Sequence, residues 1–282
     1  MSNAVEVLSP GPLTTVQDLG RPGLASVGVG PSGAADRGSL RLANRLVGNP
    51  ESAAALELTY GGLRIRFDAP ATIALTGATV DGVGMNGPVR VAAGQEIAIG
   101  IPREGLRTYL AVRGGIDVPE VLGSRSTDTL SGIGPPVLEK GMRLPIGARP
   151  GGFPNVDLAP PQPLGPAVLG VLPGPRDDWF VPDALATLTQ SAYALTKDSN
   201  RVGARLDGPE LTRGVHEELP SEGMVRGALQ VPPHGRPILF LADHPVTGGY
   251  PVIAVVIDAD LDRAAQLRAG DAVAFRIAGP RP

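Results

Sequence analysis

Glycine and proline supply 39 and 30 of the 282 residues, about a quarter of the chain and roughly twice the usual share. Proline removes a backbone donor and clashes inside a helix, and glycine loses the most freedom there. A chain so rich in both does not build a helix bundle or a coiled coil. Disorder is excluded as well, because 42% of the residues are hydrophobic and the net charge is only −3. Short strands joined by tight turns are the predicted result, and the length suggests two domains.

The charge balance, 25 basic against 28 acidic residues, offers no excess to neutralise phosphates along a duplex, so nucleic acid is excluded as a partner. All basic residues except Lys140 and Lys197 are arginine. GC-rich coding explains that bias, but the arginine fork also suits carboxylates and phosphates. The absence of cysteine removes thiolate zinc sites, thiol nucleophiles and disulfides. Met1-Ser2-Asn3-Ala4-Val5-Glu6 lacks the basic and apolar parts of a signal peptide. No apolar run reaches the roughly 18 residues of a membrane helix. A cytoplasmic protein without membrane contact is expected.

Pro145 to Pro166 is dense in proline and has no hydrophobic periodicity, which marks a crossing between domains. The expected division is 1–150, a linker at 151–166, and 167–282. Leu63-Arg64-Ile65-Arg66-Phe67 alternates with the period of a strand. Ala71–Leu75, Gln95–Ile99, Thr108–Val112, Ala167–Leu172, Pro237–Leu241 and Val252–Ile257 read the same way. Helices are predicted near Ala35–Val47, stopped by Gly48-Asn49-Pro50, and over Asp260–Leu267, with a weaker one over Trp179–Leu188. A Gly turn feeding an alternating strand recurs at Ala93–Ile99, Ala269–Phe275 and, more loosely, Lys140–Leu144. A duplicated barrel and a common hairpin explain that echo equally.

Most chemical motifs fail on context. Gly28-Val29-Gly30-Pro31-Ser32-Gly33 matches G-x-G-x-x-G, but no buried strand precedes it and βαβ units are missing. What survives is a glycine turn leading to a helix, capped by Ser32 or Asp36 and able to face an anion. Asp258-Ala259-Asp260-Leu261-Asp262 lacks the glycine and glutamate of a calcium loop. His216, His234 and His244 show no metal spacing and read as surface or hydrogen-bonded residues. No metal site is expected, and no Met-Lys-Met biotin acceptor occurs.

Several polar clusters remain: Thr14-Thr15-Val16-Gln17-Asp18-Leu19-Gly20-Arg21, Ser32-Gly33-Ala34-Ala35-Asp36, Ser199-Asn200-Arg201, and Gly248-Gly249-Tyr250-Pro251 with Asp260-Leu261-Asp262-Arg263. In this order they resemble the biotin-dependent carboxyltransferase-like family. That family holds allophanate hydrolase subunit 2, the C subunit of the ATP-dependent 5-oxoprolinase (PxpC), KipA, and the carboxyltransferase part of urea carboxylase. The resemblance spans nearly the whole chain and implies a mainly β fold. It would comprise two cyclophilin-like β-barrel subdomains with a few short helices, facing each other across a cleft. Three departures from the pattern stand out: Ala35 and Val202 each replace a methionine, and Pro245-Val246 stand where Gln-Thr is common.

The function implied is that of the C subunit of an ATP-dependent 5-oxoprolinase, opening the lactam to L-glutamate, or of a related amide hydrolase of the allophanate hydrolase subunit 2 type. The alternatives are a carboxyltransferase acting on biotin carried by another protein, and a KipA-like antagonist of a kinase inhibitor. The implied partners are a subunit 1/B (KipI-like) protein and a LamB/YcsF-type A subunit. ATP with Mg²⁺ would act in the complex, and the substrate would be a small amide or lactam. Arg21, Arg201 and Arg205 are the candidate anion clamps. Asp18, Asp36 and Asp243 are the candidate acid/base or Mg²⁺ groups. Gln17, Ser32, Asn200, Gln230, Thr247 and Tyr250 would orient substrate or nucleotide.

Overall fold

The computed structural model describes residues 3–152, 156–161, 164, 165 and 167–279. Of the expected linker 151–166, residues 153–155, 162, 163 and 166 lie outside that set. The chain divides into two compact units. One comprises Met1–Arg21 and Ser32–Pro163; the other comprises Pro22–Pro31 and Leu164–Pro282. The second boundary falls within the proline-rich stretch, but Pro22–Pro31 departs from the expected 1–150 domain and groups with the distant half.

In the first unit β1 (Ala4–Pro10), β2 (Leu13–Gln17), α1 (Arg37–Leu46), β3 (Ala55–Thr59) and β4 (Leu63–Phe67) come first. They are followed by β5 (Ala71–Gly77), β6 (Pro88–Val91), β7 (Glu96–Ala98), β8 (Arg107–Val112) and β9 (Arg143–Pro145). Two sheets form, in the orders β7-β4-β1-β9 and β2-β3-β8-β5-β6. β4 shows why: Leu63, Ile65 and Phe67 are buried while Arg64 is exposed, so one face of the strand covers a core that includes Val5, Val7, Leu56, Ile73 and Leu110.

The helix α1 starts two residues later than Ala35 because Asp36 caps it, accepting from the Ser39 N–H at 2.8 Å and the Ser39 hydroxyl at 2.6 Å. Leu40, Ala43 and Leu46 are buried together with Ala74, Tyr109 and Ala111 of β5 and β8. Asn44 and Asn49 then tie the helix end down, donating to Ala53 O at 2.7 Å and Val112 O at 2.8 Å.

The second unit carries β10 (Val168–Pro173), α2 (Ala184–Gln190), β11 (Ala192–Leu195), β12 (Gly203–Asp207), β13 (Glu222–Gly223) and β14 (Ala228–Gln230). β15 (Ile238–Phe240), β16 (Thr247–Gly248), β17 (Val252–Val256), α3 (Asp258–Ala264) and β18 (Ala272–Ile277) complete it. Seven of these strands close a barrel in the order β10-β17-β14-β15-β12-β11-β18, while β13 and β16 pair as a separate ribbon. The predicted Trp179–Leu188 helix is instead a 3₁₀ turn at Asp177–Trp179 and then α2. Pro182 disfavours helical geometry at Val181.

The fold is therefore mainly β with three short α-helices among the described residues. None of them is long and apolar enough to cross a membrane. The sequence echo has a physical basis. Gly94, Gly141 and Gly270 take φ of 74°, 89° and 90°, and the next residue in each case donates back three positions, to Ala92 O, Glu139 O and Arg268 O. Each copy is a turn that demands glycine at its third position.

Candidate functional site

The site candidates fall on both units. In the first, β2 ends at Gln17, and the turn after it is built around Asp18. The Asp18 carboxylate accepts from Gly20 N (2.7 Å), Ser124 Oγ (2.6 Å), Arg125 N (2.7 Å) and Ser126 Oγ (2.6 Å). Four donors saturate it, so its geometry is that of a group organising two loops. One of its sides reaches an open cleft of about 480 Å³, also lined by Gly20, Asn49, Glu120 and Arg125. The Ser32–Asp36 segment docks on the same turn through Ala34 N–H, which donates to Asp18 O at 2.9 Å. Ser32 and Gly33 sit at φ of 49° and 92°, and a Cβ at Gly33 would stand 2.8 Å from Leu19 C and Gly20 N. Glycine is required there by both conformation and space.

Gln17, Arg21, Ser32 and Thr127 converge behind this turn. Gln17 Nε2 donates to Thr127 O (2.9 Å) and Thr15 Oγ1 (3.0 Å), and Ser32 Oγ donates to Thr127 O at 3.1 Å. Arg21 is 2% exposed; its guanidinium donates to Ser126 O and, at 3.4 Å, to Val121 O. Among the described residues no carboxylate lies within ion-pair distance of it. Gln17 Oε1, Arg21 Nη1 and Thr127 Oγ1 are buried without a hydrogen-bond partner in the chain. One acceptor, one cationic donor and one hydroxyl left unpaired in a single cluster are costly to a fold. They are also the set that an amide and an oxyanion would satisfy.

Asp36 belongs to a second network. Its N–H donates to Tyr109 Oη at 2.7 Å. Tyr109 in turn donates to Glu57 Oε2 at 2.7 Å, and Ala35 N–H donates to the same oxygen at 2.9 Å. Arg107 completes the set 3.4 Å from Glu57 Oε1, with both side chains buried. Burial, reinforced by the Glu57 and Asp36 charges, pushes the Tyr109 hydroxyl well above its ordinary pKa of 10. The sequence reading missed Glu57, Arg107 and Tyr109, although a glutamate inside Ala55-Leu56-Glu57-Leu58-Thr59 was a signal.

In the second unit Arg201 and Asp243 form a bidentate buried pair, Nε to Oδ2 at 2.8 Å and Nη2 to Oδ1 at 3.0 Å. Asp243 N–H also donates to Arg201 O at 3.0 Å. The expected clamp and the expected acid thus hold each other. Arg205 is exposed on β12. Asn200 is exposed as well and makes a turn, accepting from Val202 N (2.8 Å) and Gly203 N (3.3 Å). Gln230 Nε2 donates to Tyr250 O at 3.2 Å, and a Cβ at Gly248 would stand 2.5 Å from that nitrogen. Thr247 is exposed on the β13–β16 ribbon. Tyr250 is also exposed, with the Arg213 guanidinium 5.6 Å from its ring centroid. Pro245-Val246 contribute through the backbone, since Val246 O accepts from Met224 N at 2.8 Å.

A family profile described as "carboxyltransferase domain, subdomain A and B" matches residues 27–277. The C subunit of 5-oxoprolinase from Escherichia coli K12 is 40% identical over 96% of this chain and 90% of its own length. The protein of the same name from Haemophilus influenzae is 34% identical over 96% and 90%. The urea amidolyase of Lachancea kluyveri is 37% identical over 96% of this chain, which spans only 17% of it. Among solved structures, the K. lactis urea amidolyase superimposes with a TM-score of 0.89 at 32% identity, over 98% of this chain and 19% of that one. On sequence and on fold alike, the chain belongs to the family of carboxyltransferase domains with subdomains A and B.

Proposed function

We propose that this chain is the C subunit of an ATP-dependent 5-oxoprolinase and works as one part of a multi-subunit enzyme. The end-to-end likeness to the two bacterial C subunits carries the reading, because the yeast relative is matched over only a small part of its length. The first unit's cluster supports it. 5-Oxoproline is a carboxylate on a lactam ring. The unpaired Arg21 Nη1 would receive an oxyanion, Gln17 Oε1 would accept the lactam N–H, and Thr127 Oγ1 would serve either group. The role of these residues is to bind and orient the ring. Opening it breaks the C–N bond, adds water oxygen to the carbonyl carbon and delivers a proton to the leaving nitrogen.

The expected Asp18, Asp36 and Asp243 do not come together as a Mg²⁺ site. No three His, Asp or Glu residues gather into a metal-holding group among the described residues. Asp18, Asp36 and Asp243 are already held by donors within the chain. ATP and its metal act, in this reading, in the complex with the partner chains, one KipI-like (the B subunit) and one of the LamB/YcsF type (the A subunit). A second reading, carboxyl transfer from a separately carried biotin, rests on the family match itself and on the urea amidolyase fold.

The test is to co-express the chain with those two partners and measure ATP-dependent glutamate release from 5-oxoproline, omitting each chain in turn. Turnover is expected to vanish without this chain. It should fall at least a hundredfold in Arg21→Gln, about 3 kcal/mol of transition-state stabilisation. A well-formed complex without turnover overturns the proposal, and carboxylation of urea with a biotinylated carrier then supports the second reading.

A further inference from the structure

Arg213 has no function in either reading and was not marked by any motif. It stands at the start of Arg213-Gly214-Val215-His216 in the second unit, where a cavity of about 300 Å³ is lined by Glu210, Thr212, Arg213, His216 and Gly235 among others. Its backbone is held on several sides. Arg213 bridges to Phe180, Val181 N donates to Thr212 O at 3.1 Å, and Gly214 N and Val215 N both donate to Trp179 O, at 2.9 and 3.1 Å. Leu211 N donates to Gly235 O at 2.8 Å on the other wall. The pocket is thus built on fixed backbone.

The side chain is equally constrained. Its Nη2 donates to Val231 O at 2.6 Å, its guanidinium lies on the Tyr250 ring, and its Nε is buried without a partner. Several other partly or fully buried guanidinium groups sit on acids, Arg201 on Asp243, Arg107 on Glu57, Arg176 on Glu222, Arg125 on Asp117 and Glu120, whereas Arg21 and Arg113 donate to backbone carbonyls and, unlike Arg213, do not line this cavity. No carboxylate within ion-pair distance of Arg213 exists among the described residues. Burial makes its charge harder to keep, with the Tyr250 hydroxyl only partly offsetting that. A fixed arginine that lines a cavity and has no carboxylate within ion-pair distance among the described residues is suited to receive an anion.

We propose that this cavity binds a small oxyanion, a carboxylate or a phosphoryl group, on Arg213, with the Thr212 hydroxyl and the His216 ring as further donors. Glu210 on the same wall weakens the site and sets its selectivity. It repels an unaccompanied anion and would accept an ammonium group, so an amino acid zwitterion fits better than a dianion. Arg213 belongs to the second unit and Arg21 to the first, and this proposal does not rest on the oxoprolinase reading.

The full chain contains only three histidines, so the His216 ring proton is readily followed by NMR. Titration with L-glutamate and, separately, with inorganic phosphate should shift it saturably. Arg213→Gln should weaken binding at least about tenfold, and Glu210→Gln should tighten phosphate about two- to fivefold. Saturation by glutamate alone assigns a carboxylate, and saturation by phosphate alone assigns a phosphoryl group; either supports the site. If neither anion shifts the signal at 10 mM, on the order of 3 kcal/mol of binding, the proposal fails. It fails equally if binding survives in a folded Arg213→Gln protein. Should that variant not fold, the exposed Glu210→Gln change decides, and an unaltered phosphate affinity there counts against the site. Loss of turnover in the assembled enzyme with anion binding intact would strike the functional proposal alone.

Discussion

Asp243→Asn removes one charge and almost no volume from a pair whose side chains are at most 1% exposed. The pair makes two charge-assisted bonds, at 2.8 and 3.0 Å, each worth roughly 1.5–3 kcal/mol net. Asparagine keeps one acceptor but turns an NH₂ toward the guanidinium, so one bond is lost and the buried Arg201 charge loses its bidentate carboxylate. Breaking a buried pair in this way costs about 3–5 kcal/mol, or about 6–20 °C in Tm at 2–4 °C per kcal/mol. Trp179 is the sole tryptophan and packs against the same core, so its fluorescence in urea reports this unit directly. The double change Arg201→Met with Asp243→Leu should regain most of the loss, because it removes the stranded charge along with its partner. A single variant within about 1 kcal/mol of the parent would refute the reasoning. It would mean that water reaches the pair and that Asp243 is available for proton transfer.

The Tyr193 hydroxyl is buried without a partner, and burial pushes its pKa up to about 12. The unfolded chain ionises near 10 and the folded one later, so stability should fall by about 1.4 kcal/mol per pH unit from this tyrosine between pH 10 and 12. Tyr193→Phe should flatten that slope and raise stability near pH 7 by up to about 1 kcal/mol, measured by urea unfolding at several pH values. Gly134 has a φ of 96°, and a Cβ there would collide with Ser126 O and stand 3.1 Å from Arg21 Nη2. Gly134→Ala should cost about 1–3 kcal/mol and lower glutamate release by the assembled enzyme more than Gly132→Ala, whose Cβ meets open space. Equal losses from the two would show that Arg21 does not depend on the Ser126 loop.

What the sequence made legible was local. The glycine turns, the Asp36 cap and the alternating Leu63–Phe67 strand each state their physics within a few residues, and the structure places them within a residue or two of expectation. The pairings were not legible. Asp18 meets Ser124 and Ser126 across more than a hundred residues, and nothing in Val16-Gln17-Asp18 says that four donors will claim its oxygens. Arg201 and Arg205 looked alike in the sequence, but one stands before β12 and is buried while the other points outward from it. Arg213 carried no motif because its environment comes from Phe180, Val231 and Tyr250, three separate stretches of chain.

The exchange of Pro22–Pro31 into the second unit also has a consequence for synthesis. Those ten residues leave the ribosome well over a hundred residues before Leu164, the start of the rest of their unit. At about 5–20 residues per second they wait on the order of ten seconds without their packing partners. The first unit can gather Met1–Arg21 and Ser32 onward in that time only by holding the intervening segment out as a loop. Joined at three points along the chain, the two units cannot be separated by a single cut. A fragment that begins at Leu164 would lack a piece of its own structure.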